Sequence, residues 1–241
     1  MSEYRRFFAK NNDRIDDIVY ISGNEYNHIS KVLRMKIGDN AIVCVGDGKD
    51  LFCEIINFTK DVVQLKILEE RINKSELPIA ITLFQAAVKG DKMDFIIQKS
   101  VELGVDTIVP FQSAFAIAKV DEKTERYNKI ALEACKQCGR ATVVNVNQAM
   151  SFQNMLKSLD NYDIALFCNE NEEYSTIHSI LKTLKNESTM SVIVGSEGGF
   201  SKEEVEAIKE KAKSVLLCNR ILRAETASVF ALSVIVSQLE G

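Results

Sequence analysis

The stretch SVIVGSEGGFSKEEVEAIKE at residues 191–210 decides how the rest of the chain is read. An apolar run enters Gly195, Ser196, Glu197, Gly198 and Gly199, and Ser201 with Glu204 then makes the S-x-x-E capping box that opens a helix. A strand handed to a helix through a glycine loop is the unit of an α/β sheet. Three glycines at a strand's carboxyl end let backbone approach a ligand, and crevices beyond strand ends are where open α/β sheets bind. Taken alone, the motif also allows a tight turn with no ligand.

Downstream, SVLLCNRILRAETASVFALSVIVSQL at 214–239 gives a buried strand ending at Cys218, a short loop with Asn219, Arg220 and Arg223, and a long apolar helix from near Glu225 or Thr226. The first turn of that helix offers unpaired N–H groups to an anion, and Glu225 complements the same dipole when no ligand is present. Arginines on a loop entering so apolar a helix favour a site over surface decoration.

Upstream, extended runs alternate with helical patterns from Ile79 onward: ITLFQAAV, VDTIVPF, TVVNV, DIALFC, then SVIVG and SVLLC. In the helix after Gly90, Met93, Ile96, Ile97 and Val101 share one face; Tyr127, Ile130, Ala131, Ala134, Cys135 and Cys138 do so in a helix from about Lys123 to Cys138. This rhythm predicts a mostly parallel sheet covered on both faces. The first 70 residues are instead short strands (18–21, 41–45, 51–56 and 62–68) with GDG at 46–48 as a hairpin turn. One helix from Glu25 to Met35, with His28, Val32 and Met35 on a common face, interrupts them. The polar stretch RINKSELP at 71–78 marks the linker, giving domains at 1–72 and 73–241.

With 46% hydrophobic and 27% charged residues, 241 positions can bury a core of one large or two modest domains. No apolar run reaches the roughly eighteen residues of a membrane span, and the opening MSEYRRFFAKNNDR lacks the apolar centre of a secretory signal, so a cytoplasmic protein is expected. The six cysteines read as reduced, mostly buried thiols; the C-x-x-C at 135–138 has no second pair or histidine at metal spacing, so no metal is expected. A net charge of −4 argues against non-specific coating of nucleic acid, although residues 1–36 carry a local positive excess. The glycines follow a late strand rather than the first, which excludes the dinucleotide-binding fingerprint, and no P-loop is present.

RRFF at 5–8, HISKVLRMKIGD at 28–39, KGDKMDFIIQKSVELGVDTIVPF at 89–111, ERYNKIALEACKQCGR at 125–140, VGSEGGFSKEE at 194–204 and NRILRAETA at 219–227 occur in one order along nearly the whole chain. In that order and spacing the chain resembles the RsmE family of ribosomal RNA small-subunit uridine N3 methyltransferases, of the SPOUT class. The resemblance implies a PUA-like N-terminal β-barrel, an α/β domain whose last segment forms a trefoil knot, and a homodimer that binds S-adenosylmethionine in the knot and acts on 16S rRNA or the small subunit. It implies a cofactor site of Phe167 and Cys168; Val194, Gly195, Ser196, Glu197, Gly198 and Gly199; and Leu217, Cys218, Ile221, Leu222, Thr226 and Ala227. Arg6, His28, Lys31, Arg34, Lys89 and Arg140 are the expected RNA contacts, with His28 reading equally as a packing residue. The chain departs from the family at Ser196, where Pro is usual, at Ala114, Phe115 and Ala116, where Glu-Arg-Ser is usual, and at Cys218 and Asn219, which replace Leu-Gly.

Methylating uracil N3 requires loss of an imide proton, which leaves charge on the flanking oxygens. Arg223 is expected to stabilise that charge, with Glu225 orienting it or relaying the proton. His178 reads as a surface residue. Two other readings stand beside this one: an RNA-binding relative without activity, and a nucleotide-binding enzyme on a similar sheet.

Overall fold

The computed structural model describes residues 4–118, 123–184 and 188–240; the first residues of the opening segment and the outermost positions of both expected domains lie outside the described residues. The chain divides into two compact units, Met1–Glu76 with Cys135–Val143, and Leu77–Ala134 with Val144–Gly241.

The first unit is a six-stranded sheet of β1 (Arg5–Phe8), β2 (Arg14–Ile15), β3 (Ile18–Ser22), β4 (Asn40–Cys44), β5 (Lys49–Phe58) and β6 (Val62–Ile72), in the order β1-β4-β5-β6-β3-β2. Only β1 and β4 run parallel. Gly46 and Gly48 take φ of 84° and 75° in the β4–β5 turn, which is why the GDG signal closes a hairpin there. Register shifts after Phe52 and Ile55 bend β5, and alternate residues such as Val19, Val43, Leu51, Ile55 and Leu65 meet in one core.

The helix expected from Glu25 to Met35 is replaced by α1 (Gly23–Asn27) running into a π-helical turn at His28–Val32. That wider turn changes which side chains point inward. Ile29 is fully buried, whereas Val32 is 69% exposed, so His28, Val32 and Met35 do not form one packed face.

The described residues of the second unit form seven strands: β7 (Ala80–Ala86), β8 (Thr107–Gln112), β9 (Asn145–Val146), β10 (Met150–Ser151), β11 (Ile164–Cys168), β12 (Thr189–Val194) and β13 (Lys213–Val215). Their order is β10-β8-β7-β12-β11-β13, with β9 also beside β8, and every pairing is parallel. Parallel strands buried on both faces read as near-continuous apolar runs, which is the pattern of β11 and, interrupted by Thr82, Gln85 and Ser191, of β7 and β12. The run expected as a strand to Cys218 leaves the sheet at Val215; Leu216 bridges only to Thr176.

The unit's helices are α2 (Lys92–Glu102), α3 (Thr124–Cys138, whose last residues belong to the first unit), α4 (Phe152–Ser158), α5 (Ile177–Leu181), α6 (Lys202–Lys209) and α7 (Ala224–Glu240). Met93, Ile96, Ile97 and Val101 are buried on α2 as their spacing requires. Helix α7 packs against α2, α5 and β12, burying Ala224, Ser228, Ala231, Leu232 and Ile235 along one side. Its start is thereby held beside the carboxyl end of β12.

Candidate functional site

A cavity of about 500 Å³ opens beyond the carboxyl ends of β11, β12 and β13. Three loops wall it: the one after Phe167, the glycine loop from Val194 to Phe200, and the loop from Leu216 to Arg223, closed by Ala224 and Ala227 of α7. Of the residues expected to hold the cofactor, Phe167, Cys168, Val194, Gly195, Ser196, Glu197, Gly198, Gly199, Leu217, Cys218, Ile221, Leu222 and Ala227 all lie on this wall, together with Arg223. Thr226 does not, and is exposed. Ala224 and Ala227, three residues apart, share the helix face toward the cavity, so the two positions between them point elsewhere. Glu225 accordingly stands off the wall.

The glycine loop is fixed from below. Gln85, fully buried at the end of β7, donates through Nε2 to the carbonyl of Gly195 (3.2 Å) and of Ala86 (3.0 Å), while its Oε1 accepts from Ser228 Oγ of α7 (2.5 Å). The capping box read from the sequence forms: Ser201 Oγ accepts from the Glu204 N–H (3.2 Å) and Glu204 Oε2 from the Ser201 N–H (3.0 Å). Glu204 Oε1 also accepts from the backbone of Ala114 (2.8 Å), tying in the loop after β8. A Cβ at Gly198 would lie 2.8 Å from the carbonyl oxygen of Phe115. Glycine is therefore needed there for the neighbouring loop as well as for any ligand.

The site's charges come from elements far apart in sequence. Lys92, at the start of α2, places Nζ 2.9 Å from Glu197 Oε1 and 3.5 Å from Glu225 Oε2. Burial alone would raise the Glu197 carboxyl, but hydrogen bonds from Lys92 and from the Lys89 backbone (3.2 Å) hold it below its ordinary value. The same bond to Glu197 raises Lys92 above its own. Burial pushes the Cys168 thiol up to about 12, so it stays protonated at neutral pH. Arg220, on the arginine loop singled out in the sequence, also lines the cavity, as do Lys92, Asn169 and Phe200, which the sequence did not single out. Only the KGDKM motif hinted at Lys92, because 105 residues separate it from Glu197.

The expected RNA contacts divide in two. Lys31, Arg34 and Lys89 are exposed. Arg6 and Arg140 are corrected to structural roles. Arg6, its side chain 8% exposed, grips Asp50 with both terminal nitrogens (2.5 and 2.8 Å). Arg140, 2% exposed, pairs with Glu76 at 2.6 Å, and the same carboxylate accepts from the backbones of Ala141 and Thr142. Turning either guanidinium toward a phosphate would leave a half-buried carboxylate without its cation. His28 is half-buried and packs edge-on against Phe7, with ring centroids 6.0 Å apart. His178 is exposed on α5, as expected. Among the described residues no group of three or more His, Cys, Asp or Glu could hold a metal, and no helix is long and apolar enough to cross a membrane.

Residues 75–236 match a family model described as an RNA methyltransferase domain, and residues 21–68 one described as an RNA methyltransferase PUA domain. The parallel sheet, its carboxyl-end cavity and these matches define an RNA methyltransferase with a PUA-like amino-terminal domain, the fold class implied by the resemblance. The chain is 37% identical over 230 residues to the ribosomal RNA small subunit methyltransferase E of Bacillus subtilis (strain 168), spanning 91% of this chain and 90% of that one. It is 30% identical over 234 residues to the same-named protein of Buchnera aphidicola (strain APS), spanning 95% and 91%. The crystal structure of a ribosomal RNA small subunit methyltransferase E from Neisseria gonorrhoeae bound to S-adenosyl methionine superposes with a TM-score of 0.85 at 30% identity, over 98% of each chain. The chain belongs to the ribosomal RNA small subunit methyltransferase E family.

Proposed function

We propose that this protein transfers the methyl group of S-adenosylmethionine to N3 of a uridine in 16S rRNA of the small ribosomal subunit. In this reading it works as a cytoplasmic homodimer, with its last segment threaded as a trefoil knot. The cavity carries the reading. Its volume, about 500 Å³, lies in the range of sites for ligands of this size. Phe167, Val194, Leu217, Leu222 and Ala227 give apolar wall for a flat purine and a methionyl chain, and the glycine loop adds close backbone. Ser196 Oγ is buried in that wall with no hydrogen-bond partner among the described residues, the chemistry of an atom that completes its hydrogen bond on a ligand.

Bound S-adenosylmethionine supplies a methyl group already activated on a sulfonium. The chain must then exclude water, align the nucleobase and stabilise the charge left when the imide proton departs. Arg223 stands on the wall, and a guanidinium offers donors and no acceptor, so its part is to hold charge on the uracil oxygens rather than to accept a proton. Glu225, off the wall, acts through its neighbours. Lys31 and Arg34 on the first unit and Lys89 on the second are exposed cations suited to phosphate contact. Val229, Phe230, Val236 and Leu239 of α7, four of the ten apolar residues among its seventeen, remain partly exposed, which supports a second copy of the chain as partner.

The test is a calorimetric titration with S-adenosylmethionine, followed by methyl transfer to naked 16S rRNA and to assembled small subunits, with the product base identified by mass spectrometry. Saturable binding and 3-methyluridine are expected. Absence of binding refutes the reading, and binding without transfer to either substrate marks an RNA-binding relative without activity. Sedimentation as a monomer at micromolar concentration would sink the dimer.

A further inference from the structure

We propose that the Lys92 ammonium, held between Glu197 and Glu225, is a ligand-facing cation of this cavity that binds an oxygen anion. The anion is either the carboxylate of the methyl donor or the pyrimidine oxygen on which charge develops. The inference rests on the methyltransferase reading above and assigns a role to the KGDKM motif, which that reading leaves unused.

Three elements converge on one nitrogen. Lys92 begins α2, Glu197 sits in the glycine loop and Glu225 lies in the first turn of α7; of the three side chains, Lys92 and Glu197 reach the wall and Glu225 backs them. An ammonium carries three N–H groups. Glu197 at 2.9 Å accepts one, while Glu225 at 3.5 Å adds opposite charge without a hydrogen bond, so donor capacity is left on a side chain that borders the cavity. Glu225 Oε2 is buried without a hydrogen-bond partner, so its approach to Lys92 is its compensation among the described residues.

Two carboxylates on one lysine exceed what a surface strut requires, and they have a specific electrostatic effect. Arg223 already contributes a permanent positive charge to this wall, and a sulfonium would add another. Both would favour loss of the lysine proton. The flanking carboxylates oppose that loss, so Lys92 stays a donor when the cavity is filled. Lysine suits the task because a point charge on a flexible stem can follow an oxygen whose charge changes during reaction.

The full chain is compared with its Lys92→Met and Lys92→Arg variants, measuring affinity for S-adenosylmethionine and for 5′-methylthioadenosine, which lacks the amino-acid carboxylate. Single-turnover transfer at saturating cofactor and RNA is measured alongside. If the anion is the donor's carboxylate, Lys92→Met weakens S-adenosylmethionine by at least about tenfold and leaves methylthioadenosine unchanged. If it is the pyrimidine oxygen, both affinities hold and the transfer step slows by about a hundredfold. In either case Lys92→Arg, which keeps the charge, restores most of the loss. The proposal is overturned if Lys92→Met changes neither quantity, or if it weakens both nucleosides equally while lowering the melting temperature, the result for a strut. Should the single variant fail to fold, Lys92→Met with Glu225→Gln removes the stranded charge and the same readings apply. A wild-type chain that binds no S-adenosylmethionine fails the methyltransferase reading itself, which the first titration shows before any variant is made.

Discussion

Replacing Gln85 by Leu should loosen the glycine loop and the start of α7 together. The amide is fully buried and makes three hydrogen bonds, to the Gly195 carbonyl, the Ala86 carbonyl and the Ser228 hydroxyl. Leucine fills similar space but satisfies none of them. The Ser228 hydroxyl can donate instead to the Ala224 carbonyl, 3.1 Å away, so the net loss is that of up to two carbonyls left without this donor. At about 1–3 kcal/mol per buried unsatisfied group, part of it offset by the added apolar surface, the expected cost is about 3 kcal/mol. For a chain of this length that lowers the melting temperature by about 6–12 °C. Calorimetry on Gln85→Leu, Ser228→Ala and the double variant gives the check. The double variant should be less destabilised than the sum of the singles by about 1 kcal/mol, because Ser228→Ala alone strands the Gln85 carbonyl and the double variant does not. A drop under about 2 °C for Gln85→Leu, or strict additivity, would refute the assignment of Gln85 as the post that joins strand, loop and helix.

Glu204→Ala should cost about 1–2 kcal/mol from the lost cap of α6, and more from the stranded Ala114 N–H; denaturant midpoints for Ala, Gln and wild type should rank in that order. Arg6→Ala should destabilise the fold by about 3–5 kcal/mol by leaving Asp50 unpaired, whereas Lys31→Gln with Arg34→Gln should leave the melting temperature unchanged and reduce the salt dependence of RNA binding by about two counterions. The opposite pattern in a thermal scan and a salt titration would return Arg6 to the RNA-facing set. Burial works against ionisation of Asp50, but hydrogen bonds from Arg6 and Asn73 prevail and hold it below its ordinary 3.8. Its folded form therefore binds a proton less readily than its unfolded form, so its stabilisation is complete above the ordinary value and is lost as pH falls through the lowered one. Asp50→Asn should be less stable at neutral pH yet show a flatter loss of stability in acid; parallel curves of urea midpoint against pH would contradict this.

The parallel α/β domain was legible because its signals are local. Apolar strands, amphipathic helices and the Ser201–Glu204 box all declare themselves within a few residues, and the three loops that wall the cavity sit directly after such strands. The errors lie where a local pattern depends on distant partners. The π-helical turn at His28–Val32 rotates the inward face away from Val32, and no spacing rule announces a wider turn. Arg6 and Arg140 read as exposed cations because their carboxylates, Asp50 and Glu76, lie 44 and 64 residues away. Lys92 likewise meets Glu197 only across 105 residues of chain. Thr226 belongs to the same short motif as Arg223 and Ala227, yet helix geometry turns that position off the wall.

The strand order of the second unit bears on how the protein is made. Strand β7 is the first of its sheet in sequence, yet it lies between β8 and β12, pairing with both. On a ribosome, a chain extended only through β11 therefore exposes one long apolar edge, since the strand that covers it arrives about a hundred residues after β7 itself. Such delayed pairing slows folding and leaves an aggregation-prone intermediate for a holdase to shield. The cavity needs the loops after β12 and β13 and the start of α7, so no shorter nascent chain can carry it. Ligand-binding competence thus reports synthesis at least as far as the first turn of α7.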